Sequence, residues 1–80
     1  MITPGMLTAM TTMDPIDLVL ILEDSGYNGC WFLTAEFKGI TRTGAFSYEV
    51  TYDDGDGLGV QSGFVYVNYD YDRDVYTAEF

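Results

Sequence analysis

The chain lacks several residue types on which common chemistries depend. It has no histidine, so the usual general base at neutral pH and the commonest metal ligand are both missing. Its single cysteine, Cys30, cannot form an internal disulfide and fits a reducing compartment. The longest apolar run, Leu18 to Leu22, is too short to cross a bilayer. These absences predict a cytoplasmic protein that is not an enzyme, holds no cofactor or metal and does not enter a membrane.

Basic residues are also scarce. Three Lys and Arg residues stand against 13 Asp and Glu residues, which gives a formal net charge of −10. Hydrophobic residues make up 48% of the chain and aromatic residues 16%, so we expect its 80 residues to fold as one domain. A folded acidic surface repels nucleic acid and attracts cationic proteins. Solubility alone and adaptation to molar salt are alternative explanations of the acidity.

The order of patterns along the chain predicts an α+β fold. Residues 1–13 are Met-rich, with a spacing compatible with a short helix. In the segment 14–26, Asp14 and Pro15 are typical of a helix start and Gly26 of a helix end, which predicts a helix over 15–24. Residues 27–80 then follow a period of two, which predicts an antiparallel meander with strands near 30–38, 45–52, 60–70 and 74–80.

Alternation assigns side chains to the two faces of this sheet. Four residues of the first strand and four of the second are expected to pack on the helix: Trp31, Leu33, Ala35, Phe37, Phe46, Tyr48, Val50 and Tyr52. The opposite face is expected to carry Phe32, Thr34, Glu36, Lys38, Ser47, Glu49 and Thr51. The third strand is ambiguous because Phe64 and Tyr66 alternate with Val65 and Val67, and Gly63 is a candidate bulge.

The helix itself carries apolar residues on nearly every side. We therefore expect Leu20 to be buried, with either the Met-rich segment or a second copy of the chain covering the side away from the sheet.

Two acidic stretches are compatible in part with a calcium loop. In the first, Asp54, Asp56 and Gly59 match positions one, three and six of the loop, but positions five and twelve, which need side-chain oxygens, fall on Leu58 and Val65, so residues 53–59 are expected to form an acidic hairpin loop instead. The second stretch matches five loop positions with Asn68, Asp70, Asp72, Asp74 and Glu79. Arg73 occupies the place of the required glycine, so the preferred interpretation is a tight hairpin around residues 70–73.

The acids and neighbouring aromatics predict a surface that binds a partner. Carboxylates there would replace phosphates in a cationic groove, and Phe32, Tyr66, Tyr69 and Tyr71 would act as anchors. The expected partner-binding residues are Glu36, Glu49, Asp53, Asp54, Asp56, Tyr66, Asp70, Tyr71, Asp72, Asp74 and Glu79.

In its size, charge, lack of histidine and order of helix and acidic sheet, the whole chain resembles the small acidic inhibitor proteins of phages. These include anti-CRISPR proteins, anti-restriction proteins and uracil-DNA glycosylase inhibitors. The resemblance implies a basic nucleic-acid-binding partner in the host cytoplasm, foremost a CRISPR effector and otherwise a restriction or DNA repair enzyme, with no direct contact to nucleic acid. Two alternatives stay open: an immunity or antitoxin protein against a basic nuclease, and a non-inhibitory module that forms a homodimer.

Overall fold

The computed structural model describes residues 13–29, 31–53, 55, 57 and 59–80. These residues form one helix and four strands: α1 (Pro15–Asp24), β1 (Thr34–Ile40), β2 (Phe46–Tyr52), β3 (Gln61–Asp70) and β4 (Val75–Glu79). The predicted α+β class is confirmed, with a helix that precedes a four-stranded antiparallel sheet. The expectations for the Met-rich residues 1–12, for Cys30 and for Leu58 lie outside the described residues.

Helix α1 has the bounds that its local signals predict. Asp14 is extended, its N–H donates to the Asp17 carboxylate at 3.1 Å, and Pro15 occupies the first turn, where no N–H partner is needed. At the other end Gly26 has a φ of +99°, which turns the chain out of the helix. Within the described residues, no helix has the length and hydropathy that a membrane crossing requires.

The strands follow one another in the order β1-β2-β3-β4, and every neighbouring pair is antiparallel. The predicted meander is therefore confirmed. The bulge lies in β1 and not at Gly63: the register shifts between Phe37 and Gly39, which leaves Lys38 as the extra residue. Gly63 pairs in register with Val50. A Cβ on Gly63 would lie 3.0 Å from the ring of Phe80, so the glycine leaves room for that ring.

One face of the sheet packs on α1. Leu18, Val19 and Leu22 of the helix join a core formed with Phe32, Phe46, Tyr48, Val50, Val65, Val67 and Ala78. The third strand is thereby resolved, because Val65 and Val67 are fully buried and their neighbours point the other way. Burial, followed by the charge of Tyr76, raises the pKa of Tyr48 to about 12, so its hydroxyl stays neutral at neutral pH.

Three assignments ahead of β1 were wrong. Phe32, expected on the polar face, is buried, and its ring meets Phe80 edge-on with centroids 5.2 Å apart. Trp31 and Leu33, expected to pack on the helix, are 66% and 50% exposed. The strand begins only at Thr34, so strand alternation does not extend to residues 31–33.

The side of α1 away from the sheet is not covered by any of the described elements. Leu20 is 54% exposed and Ile16 is 55% exposed, whereas Leu18 and Leu22 are fully buried. The two expected covers, the Met-rich segment and a second copy of the chain, stay predictions, because residues 1–12 lie outside the described residues and the structure holds one chain.

Candidate protein interface

The sheet has a second face, turned away from α1, that no described element covers. Directly paired residues of antiparallel strands point to the same side, so the register defines this face. Glu36 pairs with Glu49 and Glu49 with Phe64, while Ser47 pairs with Tyr66 and Tyr66 with Glu79. We call this surface the open face; its residues are Thr34, Glu36, Lys38, Gly39, Ser47, Glu49, Thr51, Ser62, Phe64, Tyr66, Asn68, Asp70, Val75, Thr77 and Glu79.

Two carboxylates stand directly opposite each other on the open face. The cross-strand pair Glu36 and Glu49 would be destabilising alone, because like charges in such pairs repel. The Lys38 ammonium lies 3.3 Å from the Glu36 carboxylate and 3.8 Å from that of Glu49. All three side chains contact water, so these ion pairs contribute at most about 1 kcal/mol. The arrangement shows a position where a cation is favourably placed between two acids.

An aromatic pair lies next to these acids. The rings of Phe64 and Tyr66 are stacked, with centroids 6.4 Å apart and an interplanar angle of 19°. The two residues are 44% and 39% exposed, respectively. Glu49 flanks Phe64 from β2, and Glu79 flanks Tyr66 from β4. The open face thus combines an apolar, π-rich centre with carboxylates on both sides, a chemistry suited to guanidinium groups.

The structure divides the acids that the sequence predicted as one surface. Glu36, Glu49, Tyr66 and Glu79 lie together on the open face. The loop after β2 places Asp53 at one end of the sheet, where its carboxylate accepts the Gly55 N–H at 2.9 Å. Asp54 and Asp56 lie outside the described residues.

The remaining acids lie at the β3–β4 end of the sheet: Asp70 is the last residue of β3 and belongs to the open face, and Asp72 and Asp74 lie in the turn that follows. Asp70 is used locally, because one of its carboxylate oxygens accepts the N–H groups of Asp72 at 3.1 Å and Arg73 at 3.2 Å. Asp72 and Asp74 are exposed in this turn, and Asp74 has a φ of +54°. The expected hairpin is therefore confirmed, with residues 71–74 between the strands. Within the described part of the chain, no group of three or more acids is arranged to hold a metal ion.

Three of the four expected aromatic anchors lie elsewhere. Phe32 is in the core. The Tyr71 ring contacts Tyr69 with centroids 4.8 Å apart, and Tyr69 contacts Tyr76, which packs against the core. Tyr71 is thus on the helix side of the sheet, opposite Tyr66. Sequence reasoning omitted Phe64 from the site, although it shares strand periodicity with Tyr66 and could have been found once Val65 was assigned to the core.

A cleft of about 480 Å³ lies between α1 and β4 and is lined by Ile21, Asp24, Arg73, Val75, Tyr76 and Thr77.

Comparison with known proteins gives no relative. No protein-family model, no curated protein and no solved structure matches this chain. The open face presents exposed carboxylates around a stacked aromatic pair, and this combination can bind a cationic surface.

Proposed function

We propose that this chain is an inhibitor protein whose open face occupies a cationic, nucleic-acid-binding surface of another protein and thereby blocks DNA binding. The observation that carries the proposal is the exposed Phe64 and Tyr66 pair flanked by Glu49 and Glu79. In its narrowest form the chain is phage-encoded and acts in the host cytoplasm on a CRISPR effector. A restriction enzyme or a DNA repair enzyme offers the same cationic chemistry.

The aromatic pair and the acids have different roles in this proposal. Exposed aromatic rings supply much of the affinity of protein interfaces, because they bury a large area at a small cost in side-chain entropy. Arginine, which is common in phosphate-binding grooves, stacks on aromatic faces and forms paired hydrogen bonds with carboxylates. A groove rich in arginine would therefore find both of its preferred contacts on the open face.

The charge of the whole molecule acts at longer range. A net charge of −10 raises the rate of association with a cationic groove. The stronger the electric field of the groove, the larger this increase. The open face itself has a lower charge density than DNA, since alternate residues of a strand are about 6.6 Å apart and duplex DNA carries one charge per about 1.7 Å. The chain would thus imitate the sign of the phosphate charge without reproducing its spacing.

The test compares capture of proteins from a bacterial lysate by immobilised wild-type chain and by two open-face variants. One variant combines Phe64→Ala with Tyr66→Ala, and the other combines Glu49→Lys with Glu79→Lys. Wild type should retain nucleic-acid-binding proteins that a short DNA duplex displaces, and each open-face variant should retain about ten-fold less. The matched control combines Glu23→Lys with Asp24→Lys, which makes the same change in net charge on α1 and should capture as wild type does.

Two outcomes would contradict the proposal. Captured proteins that DNA does not displace would exclude occupation of a nucleic-acid groove. Equal capture by wild type and both open-face variants would show that the open face is not the binding surface. A captured partner that proves to be a nuclease toxin encoded by the same organism would instead support the immunity protein alternative.

A further inference from the structure

The two edges of the sheet differ in what their backbones contact. At β4, the Ala78 N–H donates to the Ser25 hydroxyl at 3.0 Å, and α1 packs along this strand. At the other edge, β1 is hydrogen-bonded only to β2 among the described residues. In an antiparallel ladder, alternate residues direct their N–H and C=O groups away from the partner strand. In the part of the chain that the structure describes, β1 therefore has an unpaired backbone edge, and such an edge is a template for another strand.

We propose that β1 pairs antiparallel with β1 of a second copy, so that the sheets of two chains join into one continuous sheet around a two-fold axis. This inference does not need the proposed function, because it uses the backbone edge of the sheet and not the aromatic pair, although Glu36 and Lys38 belong also to the open face. Pairing of identical edges is an isologous contact, the self-complementary kind that two-fold symmetric dimers use.

Charge complementarity argues for a second copy as the occupant. If the axis passes through Phe37, Glu36 of one chain lies opposite Lys38 of the other, and the same pair forms again across the axis. Glu36 and Lys38 lie on the same face, since their charged groups are 3.3 Å apart within one chain. Lys38 is the only lysine in the sequence. Strand β4 has Glu79 as its only charged residue, so its pairing with itself would bring no opposite charge.

Apolar exposure along the same edge supports this arrangement. Leu33 is 50% exposed and Ile40 is 47% exposed, at the two ends of β1. Because of the bulge, Ile40 lies on the helix side of the sheet with Phe46, whereas Thr34 lies on the open face, so the register centred on Phe37 extends only over residues 36–38. The bulge at Lys38 interrupts the ladder on both sides of the axis, so the pairing is short. We therefore expect a dimer of micromolar affinity.

The test is sedimentation equilibrium of the full chain over a range of concentrations, in about 0.15 M salt, where the Debye length is about 8 Å and long-range repulsion is screened. Wild type should shift from monomer to dimer mass as concentration rises. Lys38→Glu and Glu36→Lys should each lower the association constant about ten-fold or more, because each places like charges opposite one another. The double variant Glu36→Lys with Lys38→Glu should restore association, because both opposite-charge pairs form again.

The control is Glu79→Lys, which changes the charge of the other edge and should leave the dimer unchanged. Circular dichroism of each variant confirms that it is folded. A wild-type chain that stays monomeric at every concentration would overturn the proposal. So would a double variant that associates no better than either single variant, since register-specific charge pairing would then play no part.

Discussion

Two leucines in the same helix illustrate how strongly position decides the effect of a residue. Leu22 is fully buried and Leu20 is 54% exposed, although only one residue separates them. The sequence did not distinguish them, because a run of five apolar residues does not show which side of the helix faces the core. Packing on the sheet decides which side is buried, and Leu18, Val19 and Leu22 face the core.

We expect Leu22→Asp to abolish cooperative unfolding and Leu20→Asp to leave the fold intact. A carboxylate at position 22 would lie unpaired in the core, at a cost of several kcal/mol, which is comparable to the whole stability of a small domain. At position 20 the carboxylate would face water. Thermal unfolding followed by circular dichroism measures both variants.

Alanine variants of the same residues provide the control. Leu22→Ala should lower the free energy of unfolding by about 2–5 kcal/mol, and Leu20→Ala by less than about 1 kcal/mol. Loss of the folded state in Leu20→Asp would show that this residue is covered after all and would restore the original expectation for α1.

At the scale of elements, local signals were enough for the helix and for the number of strands. Asp14, Pro15 and Gly26 act on their immediate neighbours, so the bounds Pro15–Asp24 were predictable from the sequence. The start of β1 was not, because Trp31 and Leu33 continue the apolar alternation of β1 in the sequence, although they are exposed and Phe32 is the residue that reaches the core.

The candidate site was predictable only in part for a related reason. Glu36 and Glu49 were placed on one face by period-two alternation, and the structure pairs them there; Tyr66 was chosen as an aromatic anchor without a face, and the register adds it to the same side. Phe64 was missed because β3 is apolar at successive positions, so alternation alone could not say which set is buried. Pairing of Tyr48 with Val65 decides this, and pairing is a long-range contact that a single sequence does not contain.

The side chain of Ser25, just after α1, links the helix to the edge of the sheet by hydrogen bonds. Its hydroxyl donates to the Ile21 carbonyl at 2.9 Å and accepts the Ala78 N–H at 3.0 Å. Ser25→Ala should lower the free energy of unfolding by about 1–3 kcal/mol, because it leaves a partly buried N–H without its partner. Urea unfolding measures this change.

Ser62→Ala is the matched control for that measurement. Ser62 is exposed on β3, so the same loss of a hydroxyl there should change the free energy of unfolding by less than about 0.5 kcal/mol. Equal effects of the two variants would show that the contact between Ser25 and β4 adds no stability.

At the scale of the whole molecule, charge is distributed over the surface and is not compensated. Among the described residues no charged side chain is buried, and the ion pairs all involve Lys38. Neighbouring carboxylates about 7 Å apart repel by roughly 0.6 kcal/mol at the dielectric constant of water. The sum over a chain with a net charge of −10 is a substantial fraction of the stability of a small domain.

Added salt should therefore raise the melting temperature at neutral pH. Between about 0.01 M and 0.3 M NaCl the Debye length falls from about 30 Å to below 10 Å, and relief of about 1 kcal/mol corresponds to a rise of about 4–8 °C for a chain of this size. A thermal scan at each salt concentration measures the rise. Near the sequence pI of 4.1 the net charge vanishes, so the melting temperature should change little with salt concentration.

The shape of the salt series also separates two origins of the acidity. Screening is almost complete at about 1 M, where the Debye length is about 3 Å, so a protein whose acids serve to bind a cationic partner should reach a plateau below that concentration. A melting temperature that keeps rising well above about 1 M would instead indicate adaptation to molar salt. A flat series at neutral pH would contradict the premise common to both, namely that uncompensated carboxylates repel one another in the folded chain.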